Sequence, residues 1–228
     1  VLLVNAPHLP NIDAIIDTSR GKRSALADLR EATGRDGLRA VLRDAHVFVQ
    51  SYRPGALAGF GFGPHEVEEI RPGIVMASLS AYGEAGPWAG RRGFDSLVQT
   101  ATGLNHAEAQ AAGAPHPKAL PMQILDMASG FLMAFGAQAA LLRQQAEGGS
   151  WQVRVSLART ALWLRELGRV QNGYAAPPPD FAGLMETQPS GYGELSAVRH
   201  AAEFSHTPAC WVRSSMPPGS DPLAWPAD

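Results

Sequence analysis

The sequence predicts an α/β fold with a parallel sheet flanked by helices, followed by an irregular C-terminal tail. Short β-rich apolar runs alternate with amphipathic helical segments, at the spacing of strand–helix–strand units. The chain has 228 residues, 45% of them apolar, which is enough for a sizeable core. Beyond residue 170 Gly and Pro recur throughout, which is typical of irregular structure. We therefore place one α/β domain over residues 1–170, and a Pro/Gly-rich linker with a tail that packs on it over residues 171–228.

The first half of the chain supplies three strands and two helices. "VLLVN" predicts a strand at residue 1, and we expect a further segment to precede it. Within residues 24–44, Leu38, Val41 and Leu42 have helical spacing, with Thr33 as a candidate N-cap. "AHVFVQS" and "RPGIVMASLS" predict strands on either side of a helical "GPHEVEEI". Such crossovers favour parallel pairing of the strands.

The second half alternates in the same way. "DSLVQTATGL" predicts a helix, "AEAQAAGAPHPKAL" an exposed polar loop, and residues 127–146 a long, mostly buried helix. "EGGSWQVRVSL" predicts a turn and a strand, and "ARTALWLRELGRV" another amphipathic helix. The three prolines of "NGYAAPPPD" cannot continue that helix, so they mark the clearest boundary in the chain.

Composition excludes several classes of function. A net charge of −2, from 19 basic and 21 acidic residues, gives no overall positive field for nucleic acid or an anionic membrane. Cys210 is the single cysteine, which excludes an internal disulfide and a cysteine-rich metal site. This usage fits a reducing compartment, and we expect the cytoplasm. We expect no signal peptide, and no stretch close to the roughly 18 apolar residues of a membrane span.

Three basic or glycine-rich segments are candidate anion sites. "RGKRS" holds Arg20, Lys22 and Arg23, with Arg30 shortly after them; such a cluster can clamp phosphates, or form a solvated basic turn. "QSYRPGALAGFGFG" combines the flat ring of Tyr52 with four glycines, and "GPWAGRRGFD" holds Arg91 and Arg92. None has the Walker lysine or the dinucleotide spacing. The loops after strands converge where α/β proteins bind ligands.

Asp126 is the candidate reactive group. In "PMQILDMASG" it closes an apolar run and opens the long helix, where the helix dipole favours an anion. A carboxylate that is desolvated and oriented can act as a covalent catalyst. An N-cap aspartate is the alternative on the local pattern, and one carboxylate can serve both purposes.

The order of these motifs resembles the family III CoA-transferases, which include formyl-CoA and carnitine CoA-transferases and the α-methylacyl-CoA racemases. The resemblance rests on "RGKRSALADL", "HVFVQSYRPGALAGFGF", the segment from "RPGIVMASLS" to "TATGL", "ILDMASG" and "GGSWQVRVSL". It implies a Rossmann-like sheet that binds coenzyme A at its carboxyl edge. The residues it implies for coenzyme A are Arg23, Arg30, Ser51, Tyr52, Phe60 and Arg92.

The same resemblance implies that Asp126 is the nucleophile. In the transferases this aspartate attacks the acyl-CoA thioester to give a mixed anhydride and free CoA thiolate. The thiolate returns to form an aspartyl-CoA thioester, which the acceptor carboxylate then opens. The implied substrates are an acyl-CoA and a small carboxylic acid, with no metal.

Phe94 separates transferase from racemase. The racemases have a proton-transferring histidine at this position, and phenylalanine cannot move a proton, so racemisation is disfavoured. Asp95 matches an acidic position beside the transferase site, either orienting substrate or forming a surface or salt-bridged aspartate. We expect His106 and His116 to have loop roles, and Cys210 to be a small buried hydrophobic side chain.

The resemblance is incomplete. Family chains are near twice this length, and they carry an opening strand–helix unit and a smaller domain whose glycine-rich loop covers the aspartate. We expect those parts to be absent here, so a CoA-binding domain without turnover of its own is the alternative function. Family dimers are interlocked, which implies a homodimer or association with a chain that supplies the missing domain.

Overall fold

A computed structural model describes residues 1–8 and 12–226 of the chain. In chain order its elements are β1 (Leu2–Asn5), α1 (Ile12–Thr18), β2 (Arg23–Leu26), α2 (Ala32–Leu42), β3 (Val47–Gln50), α3 (Pro64–Ile70), β4 (Val75–Ser80), α4 (Asp95–Ala101), α5 (Leu104–Ala112), α6 (Ile124–Glu147), β5 (Trp151–Ser156), α7 (Leu157–Glu166), β6 (Met185–Ser190) and β7 (Gly193–Val198), with 3-10 helices at Ala58–Phe60, Gly173–Ala175 and Ala182–Leu184.

These elements form two compact units. One contains Val1–Val41 and the tail from Pro177 onward, and the other is Leu42–Ala176. Strands β1 and β2 form one parallel sheet and β3, β4 and β5 form another, with helices connecting the strands, which confirms the predicted α/β class. The predicted domain limits, residues 1–170 and 171–228, do not coincide with these units and stay a prediction.

The first unit is built on the parallel pair β1–β2, which the tail ties in place. The carboxylate of Asp221 accepts hydrogen bonds from the backbone N–H of Ser24 at 2.8 Å and from Arg213 at 2.6 Å. The indole of Trp225 donates to the carbonyl of Val41 at 2.8 Å. These contacts attach the last residues of the chain to β2 and α2.

The second unit is built on the parallel sheet β3–β4–β5. Its strands are aligned so that Val47 lies opposite Val75, and Val75 opposite Trp151. Helix α6 packs over β4 and β5, and at Gly136 its backbone comes so close to Val153 that a Cβ would lie 2.6 Å from Cγ1 of that valine. The buried side chains of α6 are Leu125, Ser129, Met133, Ala137 and Ala140.

Two predicted segments are wrong in their boundaries or type. Helix α2 begins at Ala32, so Thr33 lies inside its first turn and is not the N-cap. The predicted loop at residues 107–120 is helical as far as Ala112, where α5 ends at the left-handed Gly113. Alanine has the highest helix propensity, and it outweighed the Pro and Gly signals that lie beyond Ala112.

The long helix is less buried than predicted. It begins at Ile124 rather than at residue 127, and Met127, Phe131, Phe135 and Leu142 are exposed on it. Among the described residues, α6 is long and apolar enough to cross a membrane by length and composition, so the expectation that no such stretch exists is wrong. A core helix of a soluble protein meets the same criteria, and one face of α6 packs on the sheet.

The tail also differs from expectation in two respects. β6 and β7 form an antiparallel hairpin within the predicted irregular segment, closed by the turn between Ser190 and Gly193. Cys210 is exposed rather than buried, in a stretch of tail that has no helix or strand.

Candidate active site

Asp126 is the third residue of α6. The N-cap position belongs to Gln123, which makes no side-chain capping bond. The N-cap interpretation of Asp126 is therefore wrong. Its backbone N–H is still one of the first-turn amides that no carbonyl within the helix can satisfy.

Asp95 supplies the missing acceptor from another helix. Its Oδ2 accepts the Asp126 N–H at 2.8 Å, and its Oδ1 accepts from the side-chain amide of Gln99. Asp95 is the first residue of α4 and only 1% exposed, which excludes the surface alternative. Because both oxygens of its carboxylate accept hydrogen bonds, Asp95 links the first turn of α6 to Gln99 of α4.

Gln99 was not predicted from the sequence, and it donates a hydrogen bond to Asp95. Its side chain is 2% exposed. Besides the bond to Asp95, its amide donates to the carbonyl of Met122 at 3.1 Å and accepts the N–H of Leu120 at 3.3 Å. The available signal was its spacing, since residues four apart on a helix lie on the same face and Gln–Asp pairs at that spacing hydrogen-bond.

The pKa of the Asp126 carboxyl is raised above its ordinary value. Burial is the larger cause, and the negative charge of Asp95 is the second. The side chain keeps solvent-accessible surface, yet the surrounding protein removes enough water to disfavour the charged form. A carboxylate with a raised pKa is more basic, and therefore a better nucleophile, than one fully solvated in water.

The helix that carries Asp126 packs against neighbouring helices through a buried hydrogen bond and apolar contacts. The hydroxyl of Ser129 is 2.8 Å from that of Thr160 on α7, and both side chains are almost fully buried. The helices α4, α5, α6 and α7 also share an apolar cluster, formed by Val98, Leu104, Leu125, Leu157 and Ala161. The first turn of α6 is thus fixed against α4 and α7.

The loop after β4 is held by aromatic contacts. Tyr82 and Trp88 pack edge to face with centroids 5.1 Å apart, and the guanidinium of Arg91 lies 4.7 Å from the Trp88 ring centre. Arg92 and Phe94 are exposed, the latter at 79%. Arg91 is also exposed, but its guanidinium is in contact with the Trp88 ring.

The predicted adenine-side residues lie in the loop after β3. Ser51 and Tyr52 are exposed, and the Tyr52 N–H donates to Oε1 of Gln50 at 2.8 Å. Phe60 ends a 3-10 helix and is partly exposed. A cavity of about 270 Å³ opens beside this loop, with Gln50, Arg53, Ser78 and Glu84 among its polar lining. Neither Asp126 nor these three residues line the cavity.

The predicted basic cluster lies in the first unit and is already paired with acids. Arg23 is 3.5 Å from Asp221, and Arg20 is 3.0 Å from Glu186. The guanidinium of Arg30 binds the carboxylate of Asp28 at 2.5 Å, which lowers the pKa of that carboxyl to about 2. Burial lowers the pKa of the nearby Lys22. The cluster is therefore not a patch of unpaired cations.

Comparison with known proteins identifies the family. The model of the family described as CoA-transferase family III matches residues 14–192, more than half of the chain. The chain belongs to the family III CoA-transferases. The matched range contains Asp95, Gln99 and Asp126.

Two curated relatives are described as CoA-transferases or acyl-CoA transferases. The chain is 29% identical over 170 residues to a probable fatty acyl-CoA transferase of Mycobacterium tuberculosis, covering 72% of this chain and 43% of the relative. It is 31% identical to the human succinyl-CoA:glutarate CoA-transferase, covering 59% of this chain and 30% of the relative. The chain thus spans less than half the length of these curated relatives.

Solved structures support the fold. A crystal structure of the Mycobacterium tuberculosis protein matches with a TM-score of 0.64 and 29% identity, over 75% of this chain and 52% of that one. A CAIB/BAIF family protein from Brucella suis matches with a TM-score of 0.65 and 21% identity, over 85% and 57% respectively, which shows the fold alone. The fold of this chain corresponds to about half of each structure.

Proposed function

We propose that this chain is the CoA-binding, nucleophile-bearing part of an enzyme that moves CoA between an acyl-CoA and a carboxylic acid. The observation that carries the proposal is the setting of Asp126. A carboxyl with a raised pKa lies in the first turn of a fixed helix, in a chain that belongs to a CoA-transferase family.

The chemistry begins at the Asp126 carboxylate. One oxygen attacks the thioester carbonyl, the carbon–sulfur bond breaks, and the pair leaves as CoA thiolate with a mixed anhydride on the aspartate. The thiolate attacks the aspartyl carbonyl and expels the donor acid as its carboxylate, giving an aspartyl-CoA thioester. The acceptor carboxylate attacks that thioester, breaks its carbon–sulfur bond and expels CoA thiolate, which leaves a second mixed anhydride on the aspartate. The thiolate then attacks the acceptor carbonyl, which restores Asp126 and releases the new acyl-CoA.

The surroundings of Asp126 fit these steps. The helix N-terminus favours negative charge, and Asp126, in the first turn, is exposed to solvent. A Cβ at Gly130, one turn further along, would meet nothing within 4 Å, which leaves room for a thioester. Asp95 is bonded on both oxygens, so we assign it to holding Asp126 and not to contact with substrate.

We propose that CoA lies along the loops after β3 and β4. Tyr52 and Phe60 offer partly exposed rings for the adenine, Ser51 an exposed hydroxyl, and Arg92 an exposed guanidinium for phosphate. Arg23 and Arg30 belong to the first unit, where they are paired with Asp221 and Asp28, and their part in binding CoA stays a prediction.

The test is intact-mass analysis after incubation with a panel of acyl-CoA thioesters, followed by hydroxylamine trapping. We expect an adduct that peptide mapping places on Asp126 and that Asp126→Asn abolishes. Asp13→Asn is the matched control, because Asp13 is also an acid in the first turn of a helix. An adduct that persists in Asp126→Asn would reject the assignment.

The alternative is a CoA-binding domain without turnover of its own. It is favoured by the chain's span of less than half of its curated relatives. Calorimetric binding of CoA with no adduct on Asp126 would support this alternative. The racemase alternative remains disfavoured by the hydrocarbon side chain of Phe94, and absence of α-proton exchange from a chiral 2-methylacyl-CoA would end it.

We also propose that the chain acts in the cytoplasm with a second polypeptide, as a homodimer or with a chain that supplies further family segments. The exposed apolar residues of α6, among them Phe131 and Phe135, support an association. Sedimentation velocity over a concentration series tests the homodimer, which predicts a doubled mass. A monomer at all concentrations would contradict it.

A further inference from the structure

Gln99 is a buried amide whose hydrogen-bonding groups are all engaged. Its Nε2 donates to Oδ1 of Asp95 and to the carbonyl of Met122 at 3.1 Å, and its Oε1 accepts the N–H of Leu120 at 3.3 Å. At 2% exposure it cannot contact a substrate. Gln99 can therefore affect a reaction only through the residues to which it is hydrogen-bonded.

Those partners converge on Asp126 from two directions. Leu120 and Met122 belong to the segment that leads into α6, so Gln99 fixes the path of the chain just before the helix. Asp95, orientated by Gln99 through one oxygen, holds the Asp126 N–H through the other at 2.8 Å. A single side chain therefore determines both the approach to α6 and the carboxylate that supports its first turn.

The chemistry of the position requires an amide. A carboxamide has two donor hydrogens and one acceptor, which matches the carboxylate, the carbonyl and the N–H that surround it. An apolar replacement would leave the Leu120 N–H and the Met122 carbonyl without this partner. Buried polar groups left unsatisfied are costly, so the segment would move to find water or new partners.

We propose that Gln99 is a positioning residue that places the Asp126 carboxylate for reaction by clamping Asp95 and residues 120–122. This inference rests on the proposed function, because it assigns Gln99 a part in the chemistry of Asp126. Misplacement of a reacting group by about 1 Å costs roughly 100-fold in rate. The clamp therefore controls the rate of the covalent step without touching CoA.

The test compares Gln99→Met with Gln144→Met in the full chain. Gln144 is a matched control, because its amide also pins a loop to a helix, donating to the carbonyl of Gly73 at 2.8 Å at the opposite end of α6. Both variants are measured for stability to urea, for CoA affinity by calorimetry, for the rate of the Asp126 adduct, and for hydrogen exchange of the Asp126 amide.

We expect Gln99→Met to slow adduct formation by about 10- to 100-fold, with CoA affinity within about twofold of the wild type, and to speed exchange of the Asp126 amide. Gln144→Met, which removes one hydrogen bond of a partly buried amide, should change neither the adduct rate nor that exchange. Equal slowing in both variants, or an unchanged rate in Gln99→Met, overturns the proposal. Gln99→Asn, too short to hold all three partners, takes its place if Gln99→Met does not fold.

Failure of the proposed function gives a different result from failure of the clamp. If the wild type forms no adduct with any acyl-CoA, the covalent assignment fails. The clamp is then tested by hydrogen exchange of the Asp126 backbone amide alone. Faster exchange at Asp126 in Gln99→Met, with unchanged exchange in Gln144→Met, then supports the clamp. Unchanged exchange in both variants rejects it.

Discussion

The backbone N–H of Asp126 donates a 2.8 Å hydrogen bond to the carboxylate of Asp95, which lies 31 residues earlier in the chain. Asp95 thereby satisfies a first-turn amide that α6 cannot satisfy itself. Its charge also raises the pKa of the Asp126 carboxyl, in addition to the larger effect of burial. One buried side chain thus fixes the position of the candidate nucleophile and adjusts its basicity.

Asp95→Asn should lower the pKa of the Asp126 carboxyl. The substitution removes the negative charge but keeps the volume of the side chain, so the Coulombic cause disappears while burial remains. The pKa should fall without returning fully to its ordinary value. The carboxyl carbon signal of Asp126 in a 13C NMR titration measures this directly.

Asp44→Asn is the control for charge removal, since Asp44 is an exposed aspartate in the same unit. The Asp44→Asn substitution should leave the pKa of the Asp126 carboxyl unchanged. A rise of the Asp126 pKa in Asp95→Asn, or an equal fall in both variants, would contradict the assigned cause.

Asp126→Asn should stabilise the protein at neutral pH relative to the wild type. A carboxyl whose pKa is higher in the folded state than in the unfolded state loses stability as pH rises through the interval between those two pKa values. The penalty is absent below the ordinary aspartate value of 3.8 and complete above the raised one. An uncharged isostere does not incur it.

Urea denaturation of both proteins between pH 3 and pH 8 measures the difference in unfolding free energy. The two curves should approach each other at the acidic end and separate as the pH rises. A variant that is less stable than the wild type at pH 7 would mean that attraction of the helix N-terminus for the carboxylate outweighs burial and Asp95.

The fold was predictable where the signal is local. The strands β3, β4 and β5 and the helices α3, α4 and α7 follow from short-range patterns. β2 was not predicted, because Arg23–Leu26 is extended through pairing with β1 and not through a pattern of its own. The α6 stripe with Phe131 was expected to be buried, because composition does not show which apolar face finds a partner.

The site was predictable only in part. Asp126 was found through motif order, and its place in the first turn of a helix follows from the apolar run after it. The contacts of Gln99 were not predictable, since Leu120 and Met122 lie 21 and 23 residues away and meet it only in the folded chain. Nor does the sequence show that Arg23 and Arg30 have acidic partners in the first unit.

Gly136→Ala should destabilise the protein by about 1–3 kcal/mol, the usual cost of adding a methyl group to a packed interior. A Cβ there would lie 2.6 Å from Cγ1 of Val153, so α6 must move away from β5. Gly130→Ala on the same helix is the control, because a Cβ there meets nothing within 4 Å. It should gain up to about 1 kcal/mol from helix propensity. Equal unfolding free energies in urea for the two variants would contradict the close approach of α6 and β5.

Arg92→Gln should weaken CoA binding about tenfold, the effect of losing a charge-assisted hydrogen bond of roughly 1.4 kcal/mol. The guanidinium is exposed and follows Arg91, which is engaged on the Trp88 ring. Calorimetry with CoA and with pantetheine separates the phosphate contact from the rest of the ligand, because pantetheine lacks the phosphates. Only the CoA affinity should change, and the loss of affinity should be smaller at high salt.

Arg143→Gln is the control, because Arg143 lies on the far half of α6 and pairs with Glu147. This variant should bind CoA and pantetheine as the wild type does. A matching loss for pantetheine would show that Arg92 shapes the loop after β4 instead of binding phosphate.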